Sequence, residues 1–225
     1  TSVSDTANVK VSIKNSSTTA YWEGTNWNTS WTEALSWLDA SGTTSWQYTG
    51  SPSWVSGNNY LVKSKATDIA TNTESVGVGE TFAYDDVAPS SFVTLPTNGA
   101  KVKTLTLISG TSSDVGSSVN NVKVSIRRIS DTNFWQGSVW TNITEANSYL
   151  LSATVTDSWT LGTGSVTFNS GNTYRIKSKS TDNFSNVETP GNGITFTFDN
   201  VGPSSNVTNP SNTVRIGSLA EISGT

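Results

Sequence analysis

The four residues Ile108-Ser-Gly-Thr111 return as Ile222-Ser-Gly-Thr225, 114 positions on, and these are the last residues of the sequence. The same shift superposes GNNYLVKSKATD from Gly57 on GNTYRIKSKSTD from Gly171, and YDDVAPSS from Tyr84 on FDNVGPSS from Phe198. A shift of 113 superposes VKVSIK from Val9 on VKVSIR from Val122. A fixed period defines the structural unit before any local element is assigned. Boundaries belong at the Pro- and Ser-marked junctions Val87-Ala-Pro-Ser-Ser91 and Val201-Gly-Pro-Ser-Ser205. The expected division is a unit over 1–88 lacking its first strands, a complete unit over 89–202, and the opening strands of a third over 203–225. Thr111 precedes Val122 by 11 positions; were Thr225 followed by Thr1 of another copy, Val9 would lie 9 positions on. The repeat is cut out of phase, and what one end lacks is nearly what the other end carries.

Each unit is long enough for a core of its own. There is no Cys, so stability rests on packing without disulfides or thiolate metal sites. There is no His either, which removes the usual general base and the commonest transition-metal ligand and weighs against most hydrolase mechanisms. Charged residues make up 13%, against about 25% in ordinary globular chains, and the net charge is -4. That balance argues against a nucleic-acid partner. No apolar run approaches the ~18 residues of a membrane helix, and no basic start followed by an apolar stretch marks a signal peptide. The absence of Met implies a processed product or an excerpt of something longer. A weakly charged, Ser/Thr/Asn-rich, Cys-free composition fits the outside of a microbial cell.

Apolar residues alternate with polar ones throughout, the signature of half-buried strands, and no segment carries a helical stripe. Val9, Val11 and Ile13 alternate with Lys10, Ser12 and Lys14; Val122, Val124 and Ile126 do the same in the second copy. Tyr60, Val62 and Ser64 alternate with Lys63 and Lys65, as Tyr174, Ile176 and Ser178 do with Arg175, Lys177 and Lys179. In the opening segments Glu221 stands where Leu107 does, so the row Ala220 and Ile222, equivalent to Thr106 and Ile108, is the expected inward face, although Leu105 and Leu219 argue the other way. Roughly seven short strands per unit, with turn signals every 8 to 12 residues, predict an all-β chain of tandem immunoglobulin-like sandwiches. An up-and-down barrel is the alternative; a Pro-bearing linker joining repeats end to end favours the sandwich.

A set of motifs carries a family resemblance: ISGT, VKVSI, the block Tyr21-Trp22-x-Gly-x-x-Trp27 matched by Phe134-Trp135-x-Gly-x-x-Trp140, the pair Trp46 and Trp159, the G-N-x-Y-x-[VI]-K-S-K-[AS]-T-D segment, and the aromatic strand ending D-[DN]-V-x-P. Together they resemble the tandem Ig-like repeats of very large bacterial surface proteins and adhesins, over essentially the whole chain. In those repeats the turn after the long strand often reads A-T-D-x-A-G-N; here it reads KATDIATN and KSTDNFSN, without the Gly.

Four groups of residues carry chemical hypotheses. Asp68, Asp85, Asp86, Asp182 and Asp199 lie at turns and junctions; hard oxygen ligands from both sides of a boundary can hold Ca2+, and the resemblance implies that some such repeats are stiffened that way. Asp is equally a good turn former, and Asn200 replaces Asp86 in the other copy. Trp31 and Trp37 occur only in the first copy, in the variable connection, and are the candidates for stacking on a sugar. Ten of the 13 basic residues fall on two strand types, Lys10, Lys14, Lys123, Arg127 and Arg128 on one, Lys63, Lys65, Arg175, Lys177 and Lys179 on the other. Their outward rows predict one basic face per unit, either a solvated face that discourages edge pairing or a contact for lateral acidic neighbours or anionic polysaccharide. Finally, Val9, Val11 and Ile13 of a first unit without its opening strands, and Val214, Ile216, Leu219, Ala220 and Ile222 of the trailing segment, are the expected assembly residues.

The acidic residues do not converge in one non-repeated place, so no enzyme is expected. The leading expectation is a structural repeat of an extracellular filament, stalk or surface fibre, built from further copies head to tail by strand complementation or as part of one long chain. The other is an adhesin or carbohydrate-binding segment of a cell-surface protein.

Overall fold

The computed structural model describes residues 5–154, 158–212 and 214–225. It is all-β apart from two single 3-10 turns, Glu33–Leu35 and Glu145–Asn147. The first unit contributes β1 (Thr6–Asn15), β2 (Tyr21–Trp22), β3 (Trp27–Asn28), β4 (Leu38–Asp39), β5 (Ser41–Gly42), β6 (Trp46–Gln47), β7 (Asn58–Asp68) and β8 (Glu80–Tyr84). Its main sheet runs β3-β2-β1-β7-β8, with β4 also pairing β1, while β5 and β6 form a separate two-stranded hairpin. The second unit contributes β9 (Ser90–Leu95), β10 (Ala100–Val102), β11 (Leu107–Ser113), β12 (Val119–Arg128), β13 (Phe134–Trp135), β14 (Trp140–Thr141), β15 (Leu151–Ser152), β16 (Ser158–Gly162), β17 (Asn172–Asp182) and β18 (Ile194–Phe198). One of its sheets is ordered β10-β18-β17-β12-β13-β14, with β15 on β12; the other is β16-β11-β9. A last hairpin, β19 (Val207–Asn209) with β20 (Ser223–Gly224), closes the chain.

Alternation decides which face is dry. Val122, Val124 and Ile126 from β12 and Tyr174 and Ile176 from β17 meet Ile108 from β11 and Trp159 from β16 in one buried core, completed by Trp135, Phe196 and Phe198. Two sheets packed face to face over such a core make an Ig-like sandwich. The Tyr174 hydroxyl accepts a 2.8 Å hydrogen bond from the Asn169 N–H, and the Tyr60 hydroxyl accepts one of the same length from Val55. Each pins the approach to its long strand. Ile108 is fully buried and Leu107 exposed, as the parity from Glu221 predicts. Thr106 is exposed, however, and Leu105 packs against the core, so the expected inward row holds at Ile108 and not at Thr106.

Within the first unit one expectation is corrected. Val9, Val11 and Ile13 are buried by the unit's own residues and offer no open assembly surface. The stretch from 40 to 56 folds over the sheet: the Trp22 indole donates to Tyr48 Oη, and Trp54 packs on Trp27, Tyr60, Phe82 and Tyr84. What stays bare is Trp46 and Phe82, whose counterparts Trp159 and Phe196 are buried in the second unit. The first unit's exposed aromatics thus lie at its rim and not at the valine row.

Candidate metal centre between the two units

Asp182 ends β17 and folds the next residues round its own carboxylate. Its Oδ1 accepts the N–H groups of Phe184 and Asn186, both at 2.8 Å, and its Oδ2 accepts the Asn186 amide at 2.8 Å. Ser185 supplies the positive φ, 71°, that closes the turn, as Thr71 does at 69° after Asp68. These two residues adopt the conformation a glycine would take at no steric cost, which is how the turn forms without the Gly of the resembled repeats. Asn186 also donates to the backbone carbonyl of Asp85 at 3.2 Å, tying the second unit's turn to the first unit's last residues.

Asp114 lies in the connection from β11 to β12, where its Oδ2 accepts both the N–H (2.9 Å) and the hydroxyl (2.7 Å) of Ser117. Asp85 follows β8 and its Oδ1 accepts the Val87 N–H at 3.1 Å. Gly116 sits against Gly57 of the first unit so closely that a Cβ on it would lie 2.8 Å from the Gly57 nitrogen and 2.9 Å from Asp85 Oδ1. Only glycine fits both sides of that contact.

The result is one carboxylate oxygen from each of Asp85, Asp114 and Asp182 within 4.8 Å of the others. Asp182 is buried. Asp85 Oδ2 and Asp114 Oδ1 are shut off from solvent and have no hydrogen-bond partner. Buried carboxylate oxygens without a donor are costly, and two such charges about 5 Å apart repel by about 3 kcal/mol at an effective dielectric near 20. A hard divalent cation removes both penalties. Oxygens on one Ca2+ lie at most about 5 Å apart, twice a ~2.4 Å bond, and Ca2+ takes its ligands from carboxylates and carbonyls in this way. The donor set and spacing therefore fit Ca2+.

Of the residues expected here, Asp85 and Asp182 come together and three do not. Asp86 accepts the Ser56 and Tyr84 hydroxyls at 2.6 and 2.9 Å, which hold its carboxyl below the usual range. Asp199 is exposed and is similarly lowered by Ser170. Asp68 is half-buried, with Asn72 lowering its carboxyl. The exchange of Asp86 for Asn200 has a local reading: Ser56 bonds Asp86 in the first copy and its equivalent Ser170 bonds Asp199 in the second, so Asp86 leaves Asp85 free of the serine. Asp114 was not among the expected ligands. Its place in the first copy is held by Thr1, so comparing repeats does not flag it; its Ser-Ser-Asp-Val-Gly-Ser setting is the only signal.

The basic rows are answered in part from within the chain. Strands β1 and β7 pair, as do β12 and β17, and set the rows side by side. The connection folded across them brings Glu33 to Lys63 at 2.8 Å, Glu145 to Lys177 at 2.7 Å and Asp39 to Lys10 at 2.7 Å. Lys65 stands over the Trp37 ring at 4.3 Å and Lys179 over Tyr149 at 5.7 Å. Trp37 thus has one face taken by an ammonium group, and Trp31 is part-buried.

No family model matches the chain, and no curated protein matches it. Among solved structures it is similar to the fibronectin(III)-like modules of Clostridium thermocellum CbhA, with 13% identity and a TM-score of 0.35 over 88% of this chain and 81% of that one. It is also similar to the FN1-FN3 domains of chicken CNTN1, with 13% identity and a TM-score of 0.30 over 92% of this chain and 62% of that one. The fold assignment rests on the sheet order and core described above.

Proposed function

We propose that the chain is a non-enzymatic structural repeat of an extracellular array, a stalk or surface fibre, in which a bound Ca2+ fixes the angle between successive units. Further copies follow head to tail, joined by strand complementation or as one continuous polypeptide. The single observation that carries this reading is the meeting of Asp85 from one unit with Asp114 and Asp182 from the next, two of their oxygens buried and unpartnered. A spacer needs such a device, because a linker of a few residues leaves neighbouring units free to swing. Among the described residues no helix is long and apolar enough to cross a membrane.

The test is a calcium titration of the intact chain. Saturating Ca2+ should raise the melting temperature by roughly 5–10 °C, from about 2.7 kcal/mol at a hundredfold excess over Kd spread over a chain of this size. Asp114→Asn should abolish the response, while Asp39→Asn, an exposed carboxylate outside the cluster, should leave it intact. A melting temperature unmoved by Ca2+ and by chelator would overturn the clamp.

A further inference from the structure

Residues directly opposite one another on neighbouring strands share a face of the sheet. Across the second unit's main sheet one such row reads Thr141, Phe134, Arg127, Arg175, Thr195, from β14 through β13, β12 and β17 to β18. Two guanidinium groups therefore start side by side at its centre, and like charges so placed oppose strand pairing. Lys177, two residues along β17, projects from the same face. The matching row of the first unit is Asn28, Tyr21, Lys14, Leu61, Thr81, with a single cation. Of the two units, only the second carries the arginine pair.

The pair is not matched from within the chain. Among the described residues the ion pairs join Lys10 to Asp39, Lys63 to Glu33, Arg128 to Asp131 and Lys177 to Glu145, and neither Arg127 nor Arg175 takes part. Glu145 lies within electrostatic reach of Arg127, but its Oε1 accepts Lys177 Nζ at 2.7 Å and the Tyr149 hydroxyl at 3.2 Å. Arg127 is half-buried, with its guanidinium carbon 5.6 Å from the centre of the Phe134 ring. Its Nε is shut off from solvent and has no hydrogen-bond partner. A buried donor on a charged group, left without an acceptor, is costly. Three cations thus share one carboxylate.

We propose that Arg127 and Arg175 form a seat for the carboxylate of a sugar acid carried on a polysaccharide, on the face of the second unit's main sheet turned away from the core. The planar guanidinium fork meets a carboxylate with two parallel N–H···O bonds, and it is more weakly hydrated than an ammonium group, so it gives up water for such a partner more readily. A sugar acid fits better than an acidic peptide. Strands β12 and β17 are each paired on both sides, so no ladder bond is left for a peptide backbone. Thr195 Oγ1, beside Arg175, donates to Asn98 Oδ1 at 3.2 Å and keeps lone pairs for a sugar hydroxyl. Arg175 and Asp182 are seven residues apart on β17, about 23 Å along the strand, so the seat is separate from the carboxylate cluster.

Affinity electrophoresis of the intact chain through gels holding polygalacturonate measures the contact, with chelator present because Ca2+ cross-links that polymer. The chain should be retarded, and the retardation should fade as salt rises from about 0.02 to 0.3 M. Arg175→Leu, which installs the residue found at this place in the first unit, should weaken binding roughly tenfold, the loss of one charge-assisted contact. Its melting temperature should hold or rise, since a like-charged neighbour is removed. Glu145→Gln removes the internal carboxylate and should tighten binding. Asp114→Asn should leave binding unchanged, so failure of the Ca2+ clamp and failure of this seat read out separately. A chain that runs unretarded overturns the proposal. So does equal weakening by Arg175→Leu and by Lys101→Ala, a cation outside the row, which would mean that diffuse charge does the binding. Equal retardation by poly-L-glutamate would overturn the choice of a sugar acid.

Discussion

Glu188 shows how much a single side chain can hold. It is buried, and its four donors come from Ser91 on β9 and Ser180 on β17, so one carboxylate ties the two sheets of the sandwich. Hydrogen bonds to a charged group stabilise by roughly 1.5–3 kcal/mol each in favourable settings, and an unmatched donor costs a similar amount. Glu188→Gln places an amide against donors and should destabilise the second unit by about 2 kcal/mol. Glu74→Gln should change the isolated chain by less than about 0.5 kcal/mol, since Glu74 is exposed. Urea unfolding of the two variants, followed by hydrogen exchange in each unit, checks both values. Equal effects would place the two glutamates in equivalent surroundings and contradict the structure.

At the level of the elements, the long strands were legible and the short ones were not. Strands β1, β7, β12 and β17, ten or eleven residues long, declare themselves by a stretch of alternating apolar and polar residues in each. Strands β2 to β6 are only two residues long and leave no periodic trace. Parity in β11 could be read because Glu221 marks the wet face of the equivalent segment. The burial of Val9, Val11 and Ile13 could not, since the stretch that follows β4 belongs to a connection whose two copies differ and leaves no periodic trace. Asp85 and Asp182 were visible as repeated turn residues, whereas Asp114 has no equivalent in the first copy and emerges only when two units are placed in contact.

The connection also sets a pH response. Burial raises the Glu145 carboxyl, but Lys177, aided by the Tyr149 hydroxyl, lowers it more, leaving it below its usual value of 4.5. A carboxyl lowered on folding adds stability above its unfolded value, and that stability is lost as pH falls through the folded value. The melting temperature should therefore decline as pH drops below about 4.5, and Lys177→Ala should remove part of the decline. Because Glu145 is 40% exposed, water screens the pair, and the contribution should stay under about 1 kcal/mol.

Across the whole molecule, the two units should not be equally stable. The second has two packed sheets and ten residues in its buried core cluster; the first has one full sheet, a hairpin and two large aromatics at its rim. Uncovering apolar surface costs about 25 cal/mol per Å2, a few kcal/mol for Trp46 and Phe82 together, out of the 5–15 kcal/mol typical of a domain. Dilute monomer should show two unfolding steps in urea, the first unit opening at the lower concentration, with hydrogen exchange locating each step. A single cooperative transition would contradict this.

The lysine rows have a consequence for how such strings of units lie beside one another. Lys10, Lys63, Arg128 and Lys177 are each paired with an acid of the same chain, so the flanks of the molecule present less uncompensated charge to a neighbour than the rows alone would. Bundling, where it happens, then draws on shape and small apolar steps as well as on the remaining cations, and its onset should shift less between dilute buffer and sea-strength brine than ten free cations would require.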